Sequence, residues 1–136
     1  SFWSPVDPVT EASLRCVAGS HLWAKPVLPT RWLSEENFYS EADKYMEVPD
    51  PDAEGMRIME WDLQPGDAVA FNYGILHGAR GNETSSRRRA FSLRLLGDDA
   101  RYIERPGPTS PPFPNHSMKP GDPLREDWFP TIYENS

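Results

Sequence analysis

Residues 56–72 read MRIMEWDLQPGDAVAFN, and this stretch decides the fold class. Residues 56–61 alternate in the manner of a β-strand that has one buried face. Residues 62–67 contain the Pro-Gly-Asp sequence typical of a turn, and residues 68–72 form a second short apolar run. We therefore predict two strands joined as a hairpin-like unit.

Similar short apolar runs lie on both sides of this unit. Upstream, residues 1–6 and 13–18 predict two strands separated by turn-forming residues. Downstream, a glycine-punctuated loop over residues 73–84 leads to a strand over residues 87–96, and residues 98–104 predict one more short strand. Several short strands at regular spacing indicate an all-β, or mainly β, sandwich or barrel.

Two segments differ in composition from the predicted strands. Residues 34–55 are rich in Asp and Glu and predict a solvated insertion, in which Ser34-Glu-Glu-Asn is a weak signal for a short helix. Residues 105–136 contain eight prolines, which predict an extended C-terminal arm that packs on the domain. The predicted organisation is thus a domain over residues 1–104, with the insertion inside it, followed by the arm.

Length and charge narrow the class of protein. A chain of 136 residues corresponds to about one domain. The net charge of −7 disfavours binding to nucleic acid or to anionic lipid. Cys16 is the single cysteine, which excludes an intramolecular disulfide and favours a reducing, cytoplasmic compartment. We therefore expect a cytoplasmic protein that binds neither nucleic acid nor a membrane surface.

The three histidines differ in their surroundings. His77 follows an apolar run and precedes Gly78, which allows a ligand or the backbone to approach closely. A neutral imidazole in this position is a good ligand for a first-row metal, and a core or loop histidine is the alternative. His21 is interpreted as a loop-capping residue and His116 as a solvent-facing residue of the arm.

Three consecutive arginines open the strand at residues 87–96. The period of two places Arg88 on the same face as Ser92, and places Arg87 and Arg89 on the other face. An arginine that points into a cavity can bind a carboxylate through two parallel hydrogen bonds. The pattern leaves open which face is the inner one, and a solvated basic strand is the alternative.

Short motifs along the chain, taken in order, resemble a known family. They are Phe2-Trp3, Gly19-Ser20-His21, Pro65-Gly66-Asp67, Leu76-His77-Gly78 and the run from Arg88 to Ser92. Together they resemble the C-terminal half of the phytanoyl-CoA dioxygenase-like Fe(II)/2-oxoglutarate-dependent oxygenases. The resemblance implies a double-stranded β-helix, which is a cupin-like jelly roll, in a protein that hydroxylates a small organic substrate.

The same resemblance implies roles for four residues of this chain. In the family, iron is held by a His-x-Asp or His-x-Glu pair and by one distal histidine, which would be His77. Arg88 would bind the distal carboxylate of the cosubstrate 2-oxoglutarate, together with Ser92. Trp3 would line the substrate pocket. No residue of the chain is assigned a direct catalytic role.

The sequence departs from the family pattern at the metal site. Its histidines read His21-Leu-Trp, His77-Gly-Ala and His116-Ser-Met, so a His-x-Asp or His-x-Glu pair is missing. We expect that the pair precedes residue 1, that the fold is partial, and that this chain alone binds Fe(II) weakly and is inactive. The open strand edges of a partial fold predict pairing with the missing half or with a second copy.

Two other classes of function stay open at the level of sequence. The first is a non-catalytic jelly-roll module that binds an anionic small molecule through Arg88 and neighbouring aromatic residues. The second is an interaction scaffold that binds no ligand.

Overall fold

The structure is a computed structural model that describes residues 1–28, 42–104 and 112–134. In these residues six short strands form two antiparallel three-stranded sheets. The strands are β1 (Phe2–Pro5), β2 (Arg15–Val17), β3 (Ile58–Glu60), β4 (Val69–Ala70), β5 (His77–Gly78) and β6 (Ala90–Leu93). The predicted mainly-β class is confirmed, and the complete jelly-roll arrangement stays a prediction.

The first sheet has the order β4-β1-β6. Its central strand, β1, pairs with β6 over four residues and with β4 over two. Trp3 lies directly opposite Val69 on one side and Ser92 on the other. Because directly opposed residues share a face of the sheet, these three side chains point the same way.

The second sheet has the order β3-β2-β5. Cys16 lies opposite Met59 and His77, whereas Arg15 lies opposite Glu60 and Gly78. The Cys16 face belongs to the core, and the Arg15 face is therefore the outer face of this sheet. His77, predicted in a loop, lies on the short strand β5.

The predicted hairpin over residues 56–72 is wrong, although both of its strands exist. β3 joins the second sheet and β4 joins the first. Between them, Leu63 exchanges two backbone hydrogen bonds with Val9, of 2.8 and 3.0 Å, and both side chains are buried. Burying Leu63 between the sheets carries the chain across the core, so β4 pairs with β1 rather than with β3.

The core of residues 1–95 lies where the two sheets meet. It consists of apolar side chains from both sheets and from the connections: Trp3, Val9, Leu14, Cys16, Leu63, Val69 and Ile75. Met59, Trp61 and Phe71 pack against this cluster. Strands β1, β2 and β4 each contribute one residue to this cluster, and Met59 of β3 packs against it.

The acidic insertion is described in part. Residues 34–41, with the predicted helix start at Ser34, lie outside the described residues. Ala42–Lys44 form one turn of 3-10 helix. Met46 then exchanges backbone hydrogen bonds with Pro26 and Leu28, and Asp52 forms an ion pair with Arg15. The described part of the insertion is therefore held against the rest of the chain at two points.

Residues 96–136 form a second compact unit. The predicted strand over residues 98–104 is wrong, because only Arg101 forms a bridge, to Pro123. His116, predicted to face solvent, is half-buried with its ring 4.8 Å from that of Tyr102. The extended arm and its packing on the domain stay predictions. Among the described residues, no helix is long and apolar enough to cross a membrane.

Candidate functional site

Arg88 and Ser92, predicted to bind the cosubstrate, lie beside Trp3, predicted to line the substrate pocket, on the core face of the first sheet. Trp3 is 8 % exposed and lies opposite Ser92. Arg88 precedes β6 by two residues, and its guanidinium carbon lies 5.4 Å from the centre of a Trp3 ring. This cation–π contact fixes the guanidinium against the aromatic surface. Three of the four predicted site residues are therefore neighbours.

Arg88 holds an unused hydrogen-bond donor. Its Nε is buried and has no partner among the residues that the structure describes. A buried donor without an acceptor costs free energy, and this makes Arg88 a candidate ligand-binding residue. Ser92 is exposed on the same face and adds a hydroxyl group.

The neighbouring arginine is neutralised by an aspartate far away in the sequence. Arg89 donates from Nε and Nη2 to the two carboxylate oxygens of Asp7, at 3.0 and 2.9 Å, and its backbone N–H donates to the same carboxylate. These hydrogen bonds lower the pKa of the Asp7 carboxyl below its usual range. Arg87 lies 3.9 Å from Asp7 and is largely exposed.

His77 lies on the other sheet, apart from this group. Its Nδ1 is 2.8 Å from the carbonyl oxygen of Ile75, and its ring centre is 4.9 Å from that of Phe71. Because a carbonyl oxygen only accepts, neutral His77 carries its proton on Nδ1 and leaves the lone pair of Nε2 free. The tautomer therefore suits metal binding through Nε2.

One histidine does not make a metal centre. Cys16, directly opposite His77, is buried, and burial raises the pKa of its thiol, so it stays protonated at neutral pH. In the described ranges, no group of three or more His, Cys, Asp or Glu residues is placed to hold a metal ion. The described residues therefore do not form a complete iron site.

Comparison with known proteins identifies the family. The family profile described as phytanoyl-CoA dioxygenase (PhyH) matches residues 1–90. The chain is also 31 % identical, over 110 residues, to a Caenorhabditis elegans protein named "Probable phytanoyl-CoA dioxygenase". This chain belongs to the phytanoyl-CoA dioxygenase family. No solved structure matches it significantly.

The family match covers three of the four predicted site residues, and Ser92 lies two residues beyond it. The alignment with the Caenorhabditis elegans phytanoyl-CoA dioxygenase relative spans 79 % of this chain but 34 % of that protein. The chain thus spans about a third of the length of this relative.

Two residues with long-range hydrogen bonds were missed in the sequence of this phytanoyl-CoA dioxygenase-family chain. Asp7 had no predicted partner, because its contact with Arg89 bridges 82 positions. Ser20 was passed over in favour of His21, yet Ser20 is buried and His21 is exposed. The Ser20 hydroxyl donates to the Val17 carbonyl at 2.8 Å and accepts from the Leu76 N–H at 2.7 Å.

Proposed function

We propose that this chain contributes the cosubstrate-binding face of a non-haem Fe(II)/2-oxoglutarate-dependent oxygenase that hydroxylates a small organic substrate. The observation that carries the proposal is the buried, unpartnered Nε of Arg88, held beside Trp3. Membership of the phytanoyl-CoA dioxygenase family supports the class of reaction.

Arg88 suits a carboxylate for electrostatic and geometric reasons. Asp7 neutralises Arg89, and the period of two directs Arg88 to the opposite side of the strand from that pair. The planar guanidinium donates two parallel hydrogen bonds, which match the two oxygens of a carboxylate. Trp3 lies against the guanidinium of Arg88 and therefore limits the directions from which a carboxylate can approach it.

Ser92 and Trp3 have distinct roles in this proposal. Ser92 lies opposite Trp3 and offers its hydroxyl to the same distal carboxylate. Trp3 forms an apolar wall, which excludes water from the ion pair and so strengthens it. In a complete oxygenase, bound 2-oxoglutarate supplies two electrons for hydroxylation as it is decarboxylated.

The metal has no complete site in the described residues. His77 offers Nε2 as one ligand, and the remaining ligands of the family pattern are not among the described residues.

The binding test uses the thermal stability of the 136-residue chain with 2-oxoglutarate. We expect 2-oxoglutarate to raise the Tm of the parent, since a ligand that binds only the folded state stabilises it by mass action. 2-Oxobutyrate, which lacks the distal carboxylate, should have a much smaller effect. Arg88→Ala should abolish the shift, and Arg88→Lys should retain part of it.

Arg87→Ala is the matched control for this test. It removes the same charge one position away, from a side chain that is 72 % exposed. We expect this variant to keep the full shift with 2-oxoglutarate. An equal shift in the parent and in Arg88→Ala would overturn the assignment of Arg88.

The contact of Arg88 with Trp3 also suits a second candidate function. This candidate is a non-catalytic module that binds an anionic small molecule through Arg88. Anaerobic Fe(II) distinguishes the two candidates, because 2-oxoglutarate can chelate a metal through its keto oxygen and the adjacent carboxylate, whereas glutarate lacks the keto oxygen. Tighter binding of 2-oxoglutarate, but not of glutarate, with Fe(II) supports the oxygenase, and equal binding supports the module.

We also propose a cytoplasmic location for this protein. Cys16 is a free and buried cysteine, which is typical of proteins in a reducing compartment.

A further inference from the structure

A cavity of about 200 Å³ lies on the outer face of the second sheet, away from the carboxylate site. Val17 on β2 and Ile58 on β3 are direct partners on this face, and Leu76 precedes β5. Alternation directs all three side chains away from the core, on the opposite face from the side chains of Cys16 and His77. They form an apolar floor.

The insertion supplies the opposite wall of this cavity. Val48, Pro49 and Pro51 line it. Val17 is buried, whereas Val48 is 49 % exposed, so the cavity extends from a closed floor to an open mouth. For comparison, an engineered apolar cavity of about 150 Å³ binds benzene. The size therefore suits an apolar group of about six carbon atoms.

Two arginines line the same cavity and give it a charged rim. Arg15 has a side chain that is 12 % exposed, and it forms ion pairs with Asp52 and Glu60. Its Nε is buried, forms no hydrogen bond among the described residues and lies 3.5 Å from the Glu60 carboxylate. The guanidinium of Arg15 is therefore already engaged by two carboxylates.

Arg80 is the more accessible of the two arginines. Its side chain is 57 % exposed, and its contacts with Asp52 and Glu60 measure 3.7 and 3.5 Å. Charge-assisted hydrogen bonds are shorter, about 2.7–2.9 Å, so these carboxylates leave donors of Arg80 available. An anionic group at the mouth could accept from Arg80 while its apolar part occupies the cavity.

We propose that this outer cavity is a second binding site, for a short aliphatic monocarboxylate. The carboxylate binds Arg80 at the mouth, and a chain of about six carbons packs on Val17, Ile58 and Leu76. The site is independent of the proposed cosubstrate site, because its side chains lie on a different sheet from Trp3 and Ser92.

The experiment is an NMR titration of the uniformly ¹⁵N-labelled chain with hexanoate, and in parallel with 1-hexanol. We expect hexanoate to shift the amide signals of residues 17, 58, 76 and 80, and to bind more tightly than 1-hexanol. Arg80→Gln should weaken the binding of hexanoate about threefold, which is the effect of losing one half-exposed ion pair. The same variant should leave the affinity for 1-hexanol unchanged.

Two further variants make the outcome decisive. Ile58→Trp fills the cavity and should abolish binding of both ligands, while its dispersed amide spectrum reports that it is folded. Arg88→Ala should leave hexanoate binding unchanged, so failure of the cosubstrate site and failure of this site are separable. The proposal would be overturned if the ligands shifted no amide signals, or only those of residues around Trp3. It would also be overturned if Arg80→Gln weakened the binding of hexanoate and of 1-hexanol equally.

Discussion

At the scale of single residues, Asp7 determines how the three consecutive arginines are used. It accepts hydrogen bonds from the side chain and the backbone of Arg89. This contact holds the start of β6 beside the end of β1, where Val6 N–H donates to the Arg89 carbonyl at 2.9 Å. Arg88 is thereby directed to the core face beside Trp3.

The Asp7–Arg89 pair predicts a component of acid sensitivity. The hydrogen bonds from Arg89 lower the pKa of Asp7 in the folded state, so the pair stabilises the fold above the usual carboxyl pKa of about 3.9. This stabilisation is lost as the pH falls through that value toward the folded-state pKa. Asp7→Asn should therefore reduce the difference in unfolding free energy between about pH 7 and about pH 3, measured by urea unfolding.

Glu11→Gln provides the control for Asp7→Asn. It removes an exposed carboxyl group from the same connection between β1 and β2. We expect it to keep the pH dependence of the parent. If Asp7→Asn keeps that dependence as well, the pair does not contribute to acid sensitivity.

At the scale of elements, a short turn positions the strand that carries His77. Gly19 adopts a φ of 78°, a left-handed conformation that favours glycine, and Ser20–Leu22 follow as one turn of 3-10 helix. The buried Ser20 hydroxyl links the end of β2 to Leu76, immediately before β5. The Gly-Ser-His motif therefore acts here through its serine.

Ser20→Ala should loosen this link. The variant leaves the Leu76 N–H without its acceptor, so we expect a loss of about 1–3 kcal/mol of stability. Hydrogen exchange should show faster exchange of the Leu76 amide. Ser4→Ala is the control, because its hydroxyl makes one exposed hydrogen bond, to the Asp67 carbonyl, and its loss should cost less than about 1 kcal/mol. Equal effects of the two variants would contradict the role of Ser20.

At the scale of the whole molecule, both sheets have open edges. β5 and β6 are edge strands among the described residues, and all six of their residues are exposed. The outer face of the first sheet also exposes Phe2, Phe91 and Leu93, at 40 %, 58 % and 41 %. Phe2 lies opposite Leu93, so the exposed apolar surface is continuous across the two strands.

We propose that the isolated chain self-associates through the β6 edge and this apolar face. An unpaired edge strand with apolar neighbours is a template for strand pairing. Sedimentation velocity should show a weight-average sedimentation coefficient that rises with protein concentration. Leu93→Lys should reduce this rise, because it places a charge in the contact.

Ile132→Lys is the matched control for self-association. It adds the same charge at a residue that is 71 % exposed in the second unit. We expect this variant to associate like the parent. A parent that stays monomeric at all concentrations would refute self-association of the chain.

The positions of the strands were largely predictable because alternation is a local property. Five of the observed strands are shorter than their predicted segments, and β5 was missed because two residues carry no periodic signal. The strands with which β3 and β4 pair were not predictable. This pairing depends on the contact between Leu63 and Val9, which lies outside both strands.

Sequence alone determined the mainly-β class, the family and the common face of Arg88 and Ser92, because motifs and side-chain alternation act over a few residues. The tertiary structure decided which arginine is free, because Asp7 and Arg89 meet across 82 positions. It also placed His77 on a different sheet from Arg88 and formed the outer cavity from β2, β3, β5 and the insertion. Such contacts depend on which apolar side chains share a core, and a local pattern contains no information about that choice.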